Sequence, residues 1–175
     1  MRQKLILLVV LIGLAASCTK HPTAENSPAP TNSPGASQVR NSTDVVKVSA
    51  EPAEIARNQT SDVSVKLSIQ KGFHVNANPP TFAYLKATEL EFPQSPELSV
   101  SFIVYPDPIT KSFAFAEKPL AVYEGDTTLK VKLKADKSAK VGTQNLSGKL
   151  RVQACDDQVC YAPGTLDVNL PLTIK

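Results

Sequence analysis

The chain has 175 residues, room for one ordinary domain and little more. Its 19 Lys and Arg against 16 Asp and Glu give a formal charge of +3. Two of those positive charges, Arg2 and Lys4, sit in an amino-terminal leader, so the rest has no basic excess to hold nucleic acid or an anionic membrane surface.

Residues 1–17 read as an export signal. Arg2 and Lys4 form a positive start, Leu5 to Leu14 an apolar run too short to span a bilayer, and Ala15, Ala16 and Ser17 a small-residue exit. The stretch Leu14-Ala15-Ala16-Ser17-Cys18 resembles a bacterial lipobox, although Ala15 stands where Leu is usual. That resemblance implies lipidation of Cys18, and several acyl chains on one residue anchor stably. Thr19 is not the Asp that retains lipoproteins at an inner membrane, so the resemblance favours the outer one. A plainly secreted protein is the alternative.

Residues 18–43 are Pro, Ser, Thr, Asn and Ala with almost no large apolar side chain, and predict a disordered tether. From residue 44 to residue 175 the pattern changes to period two. Val63, Val65, Leu67 and Ile69 alternate with polar residues, as do Leu98, Val100, Phe102 and Val104, and Leu129, Val131 and Leu133. Leu146, Leu150, Val152 and Ala154 follow, then Leu166, Val168, Leu170, Leu172 and Ile174. Each run puts apolar residues on one strand face. Lys71-Gly72, Pro79-Pro80, Pro106-Asp107-Pro108, Glu124-Gly125-Asp126 and Val141-Gly142 supply the turns. The expected fold is all-β, an immunoglobulin-like antiparallel sandwich of about seven to nine strands.

Chemistry concentrates in Cys155 and Cys160. With Cys18 assigned to lipid, these two form the pair left in a compartment that permits disulfides. So short a loop gains only about 2 kcal/mol from closure, against about 4 for a long one, which argues against a purely structural purpose. Strand parity puts Leu150, Val152 and Ala154 on the apolar face and Cys155 on the opposite one, where a thiol is open to exchange. Asp156 and Asp157 lie between the sulfurs and disfavour a thiolate, so a partner is expected to initiate exchange. A structural clip and a metal site remain as other readings. Zinc wants four ligands, and the chain offers two thiols, His74 and the distant His21; Cu(I) is the metal two thiols suit. His74 reads as a structural or edge residue, and no cofactor is called for.

The segment from Cys155 to Pro163, CDDQVCYAP, resembles the redox motif of the amino-terminal domain of the DsbD thiol:disulfide interchange family. So do Lys71 to Pro80, KGFHVNANPP, and Pro119 to Gly125, PLAVYEG. The resemblance implies an immunoglobulin-like fold and a reversible Cys155–Cys160 disulfide. It implies exchange with a membrane-embedded thiol reductase on one side and thioredoxin-like periplasmic proteins on the other. It makes Cys160 the attacking sulfur and Cys155 the resolving one. It also implies a cap loop over the disulfide, matched by Tyr105 to Phe115, with Phe113 or Phe115 as the cover and Asp107 and Tyr161 nearby. Relatives continue into a membrane domain and a thioredoxin-like domain, so a chain ending at Lys175 is expected to draw electrons from a separate protein. A non-enzymatic binding or assembly module with a structural clip is the rival from another class.

Overall fold

The computed structural model describes residues 41–175; the leader, Cys18 and the tether as far as residue 40 lie outside the described residues. A short 3₁₀ turn, Ser42–Val45, opens the fold. Strands β1 (Val46–Ala50), β2 (Ala53–Ile55), β3 (Thr60–Ile69), β4 (His74–Asn76), β5 (Glu89–Glu91) and β6 (Leu98–Val104) follow. Then come β7 (Ile109–Lys111), β8 (Leu120–Tyr123), β9 (Asp126–Ala135), β10 (Gly142–Val152), β11 (Ala154–Cys155) and β12 (Gly164–Ile174). Among the described residues no helix is long and apolar enough to cross a membrane.

Two four-stranded sheets, ordered β1-β3-β9-β6 and β2-β12-β10-β5, supply most of the main core, and a third, β11-β4-β8-β7, carries the cysteines. Every pairing is antiparallel except β2 with β12. Val65 and Leu67 of β3, the β9 trio Leu129, Val131 and Leu133, and Leu150 and Leu170 are fully buried in one cluster. Their period-two spacing is why these stretches form strands with one dry face. Gly148 interrupts the apolar face of β10 because Phe92 fills the space above it. A Cβ there would meet the Phe92 ring and the Glu91 carbonyl oxygen at 2.6 Å.

The expected β-sandwich is found, with twelve strands rather than seven to nine. The extra ones are two or three residues long, too short to show alternation. Two local expectations are corrected. In β6 the register shifts between Val100 and Phe102, so Ile103 packs on the core while Phe102 and Val104 are exposed. A bulge of this kind transfers every later side chain to the other face. Residues 41–43, read as the end of the tether, belong to the fold. Asn41 caps the 3₁₀ turn, and Ser42 is fully buried.

Candidate functional site

The site grows from the place where β10 gives way to β11. Gln153 separates them, and its side chain explains the break. Its Oε1 accepts hydrogen bonds from Asn76 Nδ2 (3.1 Å) and the Lys86 N–H (2.8 Å), and its Nε2 donates to the Tyr161 carbonyl (3.4 Å). The chain then enters the third sheet, where Ala154 opposes Val75 and Cys155 opposes His74. Directly opposed residues share a face. Ala154, Val75 and Tyr123 therefore face the main core, while Cys155 and His74 face the other way with Asn76 and Val122.

That second face is not open to solvent. Leu85, Phe113, Leu120 and Val122 form a separate buried cluster over it, joined by Phe82 and Ala116. Cys155 is 0% exposed. Parity thus gave the right direction for Cys155, away from the main core, but not the accessibility expected of it. The cap-side cluster seals the sulfur.

Cys155 is disulfide-bonded to Cys160, with Cα atoms 3.9 Å apart. Hydrogen bonds from Asp156 N to Val159 O (3.0 Å) and from Tyr161 N to Ala154 O (2.8 Å) close a tight hairpin around the pair. Asp156 builds its tip. Its Oδ1 accepts from the Gln158 and Val159 N–H groups (2.7 and 2.8 Å), and its Oδ2 accepts from the Tyr161 hydroxyl (2.5 Å). The Tyr161 bond holds the Asp156 carboxyl below its usual range, with smaller help from the two N–H groups, and the same bond pushes the phenol up. Tyr161 also rests on Phe73, ring centroids 6.0 Å apart. Ser42 ties the hairpin to the start of the fold: its hydroxyl donates to Ala162 O (2.6 Å) and accepts from Ala154 N (2.8 Å).

The expected cap loop, Tyr105 to Phe115, runs from the end of β6 through β7 into the connection to β8, where its two Phe take different places. Phe113 is buried and stacks on His74, centroids 4.0 Å apart and planes 20° apart. Phe115 stacks on Phe113 at 5.4 Å and is partly exposed. It lines a cleft of about 320 Å³ with Tyr84, Leu85, Val159 and Cys160 among its walls. Lys111 anchors the loop's near end. Its Nζ is 2.7 Å from Glu124, 4.0 Å from Asp157 and 5.4 Å from the Phe113 ring centroid. Its pairing with Glu124 raises the ammonium pKa.

His74, read as a structural or edge residue, is buried at the start of β4 beside the disulfide. Burial pushes its pKa down, Lys111 assists, and the charges of Glu124, Asp157 and Asp156 oppose. Asp107 is not among these groups. It is exposed between β6 and β7, where its charge acts on Tyr123. Gln153, Lys111, Tyr84, Leu85 and Val159 were not singled out from the sequence. Tyr84, Leu85 and Lys111 are brought to the cysteines only by contacts distant in sequence. Gln153 and Val159 are near neighbours of Cys155 and Cys160 whose roles depend on such contacts.

Residues 42–172 match the family described as Thiol:disulfide interchange protein DsbD, N-terminal. The chain belongs to this family. The DsbD amino-terminal match spans the 3₁₀ turn, the cap loop and both cysteines, so it covers nearly all of the described fold. Comparison with curated proteins finds no match. Among solved structures, the fold resembles the N-terminal periplasmic domain of ScsB from Proteus mirabilis. There the TM-score is 0.51 with 20% identity, over 73% of this chain and 46% of that one. A ScaB type I cohesin from Pseudobacteroides cellulosolvens aligns at TM-score 0.46 and 9% identity, over 75% of this chain and 92% of that one. The chain thus spans about half the length of the ScsB domain structure.

Proposed function

We propose that this DsbD amino-terminal domain is a periplasm-facing electron carrier that works through Cys155 and Cys160. It takes electrons from a membrane-embedded thiol reductase and passes them to thioredoxin-like proteins. The observation that carries this reading is the unequal setting of the two sulfurs. Cys155 is sealed under the Phe113 cluster, whereas Cys160 is partly exposed in the wall of the cleft beside Phe115. An attacking thiolate needs access to one sulfur only, and the other must leave.

Loading then begins with a reductase thiolate attacking Cys160 Sγ. The new S–S bond forms as the Cys155–Cys160 bond breaks, and Cys155 departs with the electron pair. A second reductase thiol displaces Cys160, leaving the domain as a dithiol with two electrons and two protons. Delivery runs in reverse. Cys160 attacks a client disulfide and releases one client thiol. Cys155 then attacks Cys160 Sγ, which releases the second and restores the bond. The apolar walls supplied by Tyr84, Leu85, Phe115 and Val159 offer a partner a dry surface around the reacting sulfur.

The leader and the Cys18 motif support a lipid anchor, with the outer membrane favoured. The test is trapping. In a Cys18→Ser background, Cys155→Ser should accumulate a mixed disulfide between Cys160 and a thioredoxin-like protein, and Cys160→Ser should not. Failure of both variants to trap would leave a binding module with a structural clip.

A further inference from the structure

We infer that His74 is the base for the resolving step, its Nε2 taking the proton from the Cys155 thiol as that sulfur attacks the mixed disulfide on Cys160. The inference rests on the exchange reading above and adds a residue to it.

Three observations converge. His74 and Cys155 are direct partners in the β4–β11 ladder, so their side chains stand on one face of the sheet. Both are sealed, at 1% and 0% exposure, in a space that water does not supply with bases. His74 Nε2 has no hydrogen-bond partner while the disulfide is closed. A buried polar atom left unpartnered costs free energy and calls for an explanation. Reduction provides one, because the Cys155 S–H is a donor that the oxidised site lacks.

Phe113, stacked on the imidazole, fixes the plane of the ring. Asn76 Oδ1 is also unpartnered on this strand, but an amide oxygen only accepts a hydrogen bond and does not take a proton. The charged groups acting on His74 are Glu124 at the end of β8, Lys111 of β7, and Asp156 and Asp157 of the hairpin. Burial outweighs them and keeps the ring neutral near pH 7, so one ring nitrogen carries a free lone pair, and Nε2 is the nitrogen left without a partner.

The step balances without an added reagent. The proton moves from Cys155 Sγ to His74 Nε2, and the Cys155 thiolate forms a bond to Cys160 Sγ. The client sulfur leaves with the electron pair and takes a proton from water or from its own protein. The imidazolium, disfavoured by burial, then gives its proton up to solvent, and the ring is neutral again for the next cycle. A thiol sealed from water otherwise ionises poorly, because burial disfavours the charged form.

The experiment uses the full chain carrying Cys18→Ser, reduced and reacted at acidic pH with an aromatic disulfide so that thionitrobenzoate is held on Cys160. A jump to higher pH starts attack by Cys155, and released thionitrobenzoate is followed by absorbance. His74→Phe, which keeps an aromatic ring against Phe113, should slow release near pH 7 on the order of 10²-fold. Its pH profile should move up toward that of an ordinary thiol, about 8.5. The rate at which Cys160 first captures the aromatic disulfide should be unchanged. Equal release rates and pH profiles in both proteins would overturn the role of His74 alone. A disulfide that cannot be reduced in the folded chain would overturn the exchange reading itself. Should His74→Phe not fold, the ring nitrogens of ¹⁵N-labelled wild type decide. The Nε2 resonance should move on reduction, and identical signals in both redox states would contradict the inference.

Discussion

Ser42→Ala removes one oxygen from the base of the cysteine hairpin. Ser42 is fully buried, and its hydroxyl accepts from Ala154 N at 2.8 Å and donates to Ala162 O at 2.6 Å. In the variant Ala162 O keeps the Ser42 N–H at 3.2 Å, but Ala154 N loses its partner inside the fold. An unsatisfied buried donor costs about 1–3 kcal/mol, so the expected loss is about 2 kcal/mol. For a domain of this size that lowers Tm by about 6–10 °C. Urea denaturation of the oxidised protein measures it, with Ser147→Ala as control. The Ser147 hydroxyl meets Asn169 at an exposed position, and its removal should cost under about 0.5 kcal/mol. Equal, small losses in the two variants would refute the argument that Ser42 ties the first turn of the fold to Ala154 and Ala162.

Gly148→Ala drives a Cβ to 2.6 Å from the Phe92 ring and the Glu91 carbonyl, and should cost about 1–3 kcal/mol by overpacking; an unchanged urea midpoint would contradict it. His74 has a folded pKa below its unfolded value of 6.5, so the unfolded state binds the proton first. Stability from this group is whole above pH 6.5 and falls as pH drops toward the folded pKa, by at most about 1.4 kcal/mol per pH unit. Urea titrations at several pH values should show that slope in wild type and its loss in His74→Phe. Phe113→Ala empties a buried site against His74 and should cost about 3 kcal/mol. Phe115→Ala, at a side chain 40% exposed, should cost under about 1 kcal/mol yet speed reduction by small thiols, since it opens the cleft beside Cys160. Equal reduction rates would remove Phe115 from the cover.

Long strands with one dry face were legible. The alternation of Val63, Val65 and Leu67, or of Leu129, Val131 and Leu133, has no other economical explanation. Phe102 and Val104 were misassigned because a bulge leaves no mark on a hydrophobic pattern; only the pairing of β6 with β9 reveals it. Ser42 was assigned to the tether because a hydroxyl that bonds two backbone groups from Ala154 and Ala162 looks, in sequence, like any linker serine. The cysteine pair was legible from its spacing and neighbours. Its cover was legible only in part, since Phe113 and Phe115 are two residues apart and alternate between interior and cleft. The depth of Cys155 was hidden by Gln153, whose bonds to Asn76 and Lys86 carry the strand into another sheet. The closeness of His74 to Cys155 is a matter of register across about eighty residues of chain, beyond the reach of local pattern.

The exchange reading requires that the Cys155–Cys160 bond open without unfolding the domain. Its reduction potential, measured on the folded chain with Cys18→Ser by equilibration in thiol buffers, tests this most directly. A value near or above about −230 mV, in the range of exchange-active dithiols, is the predicted result. A value below about −300 mV would place the bond with structural disulfides and contradict the account.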